Sequence, residues 1–185
     1  MQRQKADTVR GLSAAIERYG EPKTRIFTYR PSPGGWDYFA RVCRKRAGEV
    51  LLVLRGKEGH FLLHTKAFYP ANTYRLLSGG IKPGEDLLTA VHRETREETS
   101  QEAEIERFLG ILRHRFLSEK YTSIEYVSYV FSLYMQQGVP VPQDSEESIT
   151  DFRQVPLRAL AQVADQLRSL PDGWRDWGCF RARAH

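Results

Sequence analysis

The sequence predicts an α/β fold, and three observations lead to it. Val50-Leu-Leu-Val-Leu54 is a continuous apolar run of strand length, as a central strand requires. Glu104–Phe116 and Ser123–Met135 read as two longer strands; in the second, Tyr126, Ser128, Val130, Ser132 and Tyr134 alternate with Val127, Tyr129, Phe131 and Leu133. A helix from about Asp86 to Thr99 separates the two strand regions, and another, Pro156–Leu170, follows them. A chain of 185 residues organised this way is one domain, or one domain with extensions.

The elements follow in order. Residues 5–19 read as an amphipathic helix with Val9, Leu12, Ile16 and Tyr19 on one stripe, ended by Gly20 and Pro22. Arg25–Arg30 reads as a short strand and Pro31–Gly35 as a turn or linker. Tyr38–Arg44 and Glu49–Arg55 read as two strands joined at Ala47-Gly48, and Phe61–Lys66 as a third. Phe68–Thr73 is a loop that leads into Tyr74–Leu77. Gln136–Ser148 is a loop with Pro140, Pro142 and the acidic run Asp144-Ser-Glu-Glu147, and Asp151–Val155 is a short strand. The late helix has Pro156 at or near its first position and turns Leu157, Leu160, Val163 and Leu167 inward. Trp174–Arg181 is aromatic and basic, a composition that covers a core edge or an interface.

Composition narrows the class. A hydrophobic content of 41% with 11% aromatics is globular. Cys43 and Cys179 form neither a metal spacing nor a disulfide framework, so a reduced, cytoplasmic setting is expected. No apolar run approaches membrane length, and no membrane partner is expected. The net charge is +5, unevenly spread: Arg41, Arg44, Lys45, Arg46, Arg55 and Lys57 cluster early, whereas residues 85–106 carry eight acidic side chains against Arg93 and Arg96. An acidic centre in a basic chain suits a polyanionic substrate that arrives with divalent cations, and leaves a nucleic-acid partner open.

The organising stretch is Gly79–Gln101. Gly79, Gly80, Pro83 and Gly84 read as a tight glycine turn before the helix. At about 100° per residue, Leu87, Ala90 and Val91 share one side of that helix with Glu94, Glu97 and Glu98, while Thr89, His92, Arg96 and Thr99 take the other. An acidic face belongs opposite the apolar stripe; this one continues it. Inward carboxylates repel each other and lose hydration unless a cation sits among them, and all-oxygen ligands suit Mg²⁺ or Mn²⁺.

Gly79, Glu85, Arg93, Glu94, Glu97 and Glu98, at those separations, resemble the Nudix box. Thr95, Ser100 and Gln101 depart from it, standing where the family has an aliphatic residue, a glycine and another aliphatic residue. The resemblance covers about residues 36–170 and implies a Nudix-type α/β/α sandwich with a mixed central sheet; residues 1–35 then form an N-terminal extension and 171–185 a tail. It also implies hydrolysis of the pyrophosphate linkage of a nucleoside diphosphate derivative, with Mg²⁺ or Mn²⁺ as cofactor. Glu97 and Glu98 would be the principal metal ligands, Glu94 a further ligand or the base, and the Ser78 carbonyl would complete the shell. Arg93 would orient Glu97, and Glu85 would brace the loop formed with Gly79 and Gly80. Glu146 or Glu147 is an alternative base from a later loop. Lys66 and Arg75 are candidate phosphate contacts, and Phe68, Tyr69 and Tyr74 candidate base-stacking groups. His60, His64, His92 and His114 form no ligand spacing. A 5′-end RNA pyrophosphohydrolase and a non-catalytic nucleotide-sensing module remain as alternatives, and the oligomeric state stays open, a homodimer included.

Overall fold

The structure is a computed structural model that describes residues 9–118, 122–141 and 148–185. It is an α/β/α sandwich around a mixed seven-stranded sheet. The elements are α1 (Leu12–Tyr19), β1 (Lys23–Tyr29), α2 (Pro33–Lys45), β2 (Gly48–Arg55), β3 (Phe61–Lys66), β4 (Leu77–Ile81), α3 (Leu87–Thr99), β5 (Glu104–Leu117), β6 (Ser123–Tyr134), β7 (Ile149–Val155), α4 (Leu160–Arg168) and α5 (Arg175–Arg181). The strands run β1-β5-β6-β2-β3-β7, with β4 paired to β2. Pairs β1–β5 and β2–β6 are parallel; β5–β6, β2–β4, β2–β3 and β3–β7 are antiparallel.

β2 is the two-sided strand its apolar run predicts. Val50, Leu52 and Leu54 pack in one core with Ala15 of α1 and Leu87, Ala90 and Val91 of α3. Leu51 and Val53 pack in the other with Leu160, Val163 and Leu167 of α4 and Trp177 of α5. A third cluster joins Phe39 of α2 to Phe116, Tyr126 and Phe180.

Four expectations are corrected. Tyr38–Arg44 is helix, part of α2. Ser32 caps it, accepting from Gly35 N at 3.2 Å, Pro33 opens it, and Phe39 and Ala40 turn inward. The residues expected as a linker are therefore its cap and first turn. Gly34 and Gly35 disguised it; Gly35 is needed because a Cβ there would collide with Asp176. Second, Gly79 and Gly80 lie in β4, and the turn comes later, at Gly84 with φ +76°. Third, the late helix is preceded by a 3₁₀ turn at Leu157–Ala159 that leaves Leu157 67% exposed. Fourth, Thr99 is buried: its hydroxyl bonds Thr95 O at 2.6 Å, as Thr95 bonds Val91 O at 2.7 Å. Hydroxyls returned to the helix backbone let both threonines pack as apolar residues.

The first described residue, Val9, is buried, and the helix there starts at Leu12 behind Gly11, whose φ is +81°. The expected helical turn at residues 5–8 lies outside the described residues. β1 pairs with β5 along its length, so this segment is an edge of the same sheet. Cys43 and Cys179 are free thiols, and burial, then Glu49, pushes Cys43 up to about 12. Among the described residues no helix is long and apolar enough to cross a membrane.

Candidate functional site

β4 and α3 meet at a glycine. A Cβ on Gly79 would collide with the Glu94 carboxylate, and one on Gly80 with the Arg46 side chain. Neither glycine has a positive φ; Gly79 is what lets the buried Glu94 carboxylate lie against β4, whereas the exposed Arg46 side chain is free to move away from Gly80. Asp86 caps α3, accepting from Leu88 N at 3.0 Å and Thr89 N at 3.4 Å. At the other end Ser100 takes the left-handed conformation, φ 54°, that the box usually gives to glycine.

Arg93 gathers the acidic groups. Its Nε donates to Glu85 Oε1 at 2.7 Å, and its Nη2 to Glu85 Oε2 at 2.8 Å and Gly80 O at 2.9 Å. Its Nη1 donates to Glu94 Oε1 and Glu97 Oε2, both at 2.7 Å. All five guanidinium N–H groups are thereby engaged. Glu85 also accepts from Lys82 N at 2.9 Å, so it ties the loop to the helix; Arg93 above all holds its carboxyl below the usual range. Glu94 and Glu98 are buried, 6% and 4% exposed, as the inward stripe predicts. Glu97 departs from it, with a side chain 41% exposed and held at the surface by Arg93. His92 is exposed on the far side, as expected.

β3 approaches from below. Lys66 Nζ lies 3.6 Å and His64 Nδ1 4.0 Å from Glu98 Oε1. His64 is fully buried, and burial, followed by the cations Arg75, Lys66 and Arg181, holds its imidazole well below its usual range.

Beside these groups opens a cavity of about 780 Å³. Ser78, Gly79, Gly80 and Glu94 line one side; Arg46, Lys66, Arg75 and Arg181 contribute cations; Tyr38, Phe68, Tyr69, Trp174 and Trp177 contribute rings. Tyr69, Trp174 and Trp177 form a cluster with centroids 4.8–5.9 Å apart. Arg75, 4% exposed, donates to Tyr69 Oη at 2.9 Å, Leu76 O at 2.7 Å and Ser78 Oγ at 2.9 Å. Arg181 Nη1 reaches the same Ser78 Oγ at 3.0 Å and Glu49 Oε2 at 2.9 Å. Behind it runs a buried polar chain: Ser128 Oγ donates to Glu49 Oε1 at 2.7 Å, His114 Nε2 lies 3.0 Å from Ser128 Oγ, and Tyr29 Oη 3.0 Å from His114 Nδ1. Burial works against the charged form of Glu49, yet Arg181 and Ser128 hold its carboxyl below the ordinary range. Burial drives His114 down to about 4. Asp176 Oδ2 accepts from Ser32 N at 2.9 Å and Ser32 Oγ at 2.6 Å, clasping α2 to α5 at the cavity edge.

The structure thus brings Lys66, Arg75, Ser78, Gly79, Gly80, Glu85, Arg93, Glu94 and Glu98 to one place, with Glu97 at its rim. Tyr74 is elsewhere: its hydroxyl donates to Asp151, Arg153 stacks on its ring at 3.9 Å, and it lines a separate cavity of about 280 Å³. Glu146 and Glu147 lie outside the described residues. Arg181, Tyr38, His64 and Glu49 were not foreseen. Glu49 had a signal, a carboxylate opening an apolar strand; the others come from elements distant in sequence.

The family's divalent ion can be tested against these residues. Among the described residues no three His, Cys, Asp or Glu side chains form a ready cage. The donor chemistry nevertheless fits: the carboxylates are oxygen donors, Glu94 and Glu98 are buried, and the bare Gly79 backbone lies against Glu94.

No curated protein matches the chain. Among solved structures, the chain is similar to the Deinococcus radiodurans protein DR0079 (18% identity, 75% of this chain and 83% of that one, TM-score 0.50). It is also similar to a C. elegans Ap4A hydrolase (26%, 73% and 98%, 0.41) and to the E. coli dihydroneopterin triphosphate pyrophosphohydrolase (14%, 76% and 92%, 0.49). The NUDIX domain model matches residues 45–177, well over half of the sequence, and the chain belongs to the Nudix family of hydrolases.

Proposed function

We propose that this Nudix hydrolase cleaves the pyrophosphate linkage of a nucleoside diphosphate derivative with water, dependent on Mg²⁺ or Mn²⁺. The observation that carries the reading is a pair of buried carboxylates, Glu94 in the wall of the cavity and Glu98 behind Lys66, where cations and aromatic rings also line that cavity and Asp172 and Asp176 stand with Trp174 and Trp177 in its lining. A linked diphosphate needs cations against its oxygens, and a nucleobase needs a flat apolar surface. The volume, about 780 Å³, lies in the range of small-molecule sites and supports a nucleotide-sized substrate.

Glu97, Glu98, Glu94 and the Ser78 carbonyl would hold the ion, which when bound neutralises phosphate charge and acidifies water. Arg93 keeps Glu94 and Glu97 one guanidinium nitrogen apart and in fixed rotamers. Glu94 is also the candidate to take the proton of the attacking water. Lys66 and Arg75 face the substrate's phosphates, and Tyr69, Trp174 and Trp177 its planar group. A hydrolysis screen with Mg²⁺, Mn²⁺ or chelator tests this, run over nucleotide sugars, nucleoside triphosphates, dinucleoside polyphosphates and 5′-triphosphate RNA. Metal-dependent release of a phosphate-bearing product is expected. Nucleotide binding without hydrolysis under any metal would replace the reading with the sensing module.

A further inference from the structure

His64 is an anomaly that the hydrolase reading leaves unused. It is 0% exposed, and neither ring nitrogen has a hydrogen-bond partner among the described residues. Buried polar atoms in native proteins are paired in the great majority of cases, so an orphaned imidazole calls for an explanation. Its backbone is pinned on both edges: His64 N bonds Arg75 O at 3.0 Å, Arg75 N bonds His64 O at 3.1 Å, and β7 holds it in register with Phe152. The ring stands edge-on to Tyr69, centroids 6.5 Å apart. Its placement is therefore set by the fold, and its Nδ1 lies 4.0 Å from Glu98 Oε1.

We infer that His64 is a positioning residue for Glu98: its Nδ1–H donates to Oε1 and fixes the carboxylate in the orientation that holds the divalent ion. An approach of about 1 Å closes the hydrogen bond. The inference rests on the reading of Glu98 as a metal ligand. A hydrogen bond to a ligating carboxylate orients it, and loss of such a partner typically weakens metal binding about 10–100-fold. Lys66, two residues on and on the same face of β3, supplies charge to the same oxygen; a neutral imidazole N–H supplies direction.

The test measures Mn²⁺ affinity by the electron paramagnetic resonance of free Mn²⁺, with no turnover involved. His64→Leu keeps the volume and removes both orphaned nitrogens; it should melt no lower than the parent yet bind Mn²⁺ at least about tenfold more weakly. His64→Asn restores an N–H near the Nδ1 position and should bind within about threefold of the parent. Glu98→Gln separates the two readings. If it binds Mn²⁺ like the parent, the Glu98 assignment fails and the inference with it. If it weakens binding while His64→Leu does not, the inference alone fails. His64→Asn as weak as His64→Leu, or a His64→Leu protein that loses stability and keeps its affinity, also overturns it.

Discussion

Two polar clusters lie on either side of Ser78 and Gly79, and they are built in opposite ways. The Arg93 cluster draws on one helix and the loop before it: Glu85, Glu94 and Glu97 all lie within eight residues of their arginine. The Arg181 cluster collects Tyr29, Glu49, Ser78, His114 and Ser128 from five strands and closes on the last helix. The first is partly wet, with Glu97 exposed. The second is dry, with Glu49 1% exposed. Local spacing suffices for a cluster that solvent partly supports; a dry one needs every partner in place, because an unpaired charge there has no water to fall back on.

The largest test of this contrast breaks the dry cluster. Arg181→Gln leaves Glu49 buried without its cation and should cost roughly 3–5 kcal/mol of stability, read by urea unfolding. A loss below about 1 kcal/mol would show that the pair is solvated. The carboxylates of α3 should instead fail in function, the buried Glu98 beside Lys66 included. Glu98→Gln, nearly isosteric, should lower turnover on the substrate found by the screen roughly a hundred-fold or more and leave the melting temperature unchanged or higher. Turnover within threefold of the parent would sink the assignment.

Acid sharpens the comparison further. His114 falls to about 4 in the folded chain and titrates near 6.5 unfolded, so the unfolded state takes up its proton first. Its contribution is complete above pH 6.5 and is lost as pH falls toward 4, up to roughly 3 kcal/mol for a shift of this size. Glu49, with a lowered carboxyl, adds loss in the same direction. The melting temperature should therefore drop between pH 6.5 and 4.5, and His114→Gln should flatten that slope; an unaltered slope would clear His114. The smallest effect is local: Ser100→Gly removes the strain of a left-handed serine and should stabilise by up to about 1 kcal/mol, a small rise in melting temperature.

What was legible in the sequence follows the same division. The carboxylates of α3 were readable because helical geometry converts spacing into a face, and β2 because an apolar run needs two covers. α2 was misread because its cap, Ser32, and its glycines look like a turn until Asp176, 144 residues away, is brought against them. Arg181 and His64 carry no local pattern; the packing of α5 on the sheet places the first beside Ser78, and the position of β3 places the second beside Glu98. Glu97 was placed inward by periodicity, but its side chain is 41% exposed, bonded to the same Arg93 nitrogen as the buried Glu94.

The clasp between Ser32 and Asp176 has a consequence for the order in which the protein is made. All seven strands are complete by Val155, and the box helix long before that. The rings of Trp174 and Trp177, the Arg181 guanidinium and the Asp176 carboxylate are translated only after all of these strands. A nascent chain that has emerged only as far as residue 170 holds its acidic helix and every strand, yet lacks one wall of the cavity. Vectorial synthesis therefore completes the sheet and the acidic helix before the aromatic wall of the cavity, which arrives only with α5.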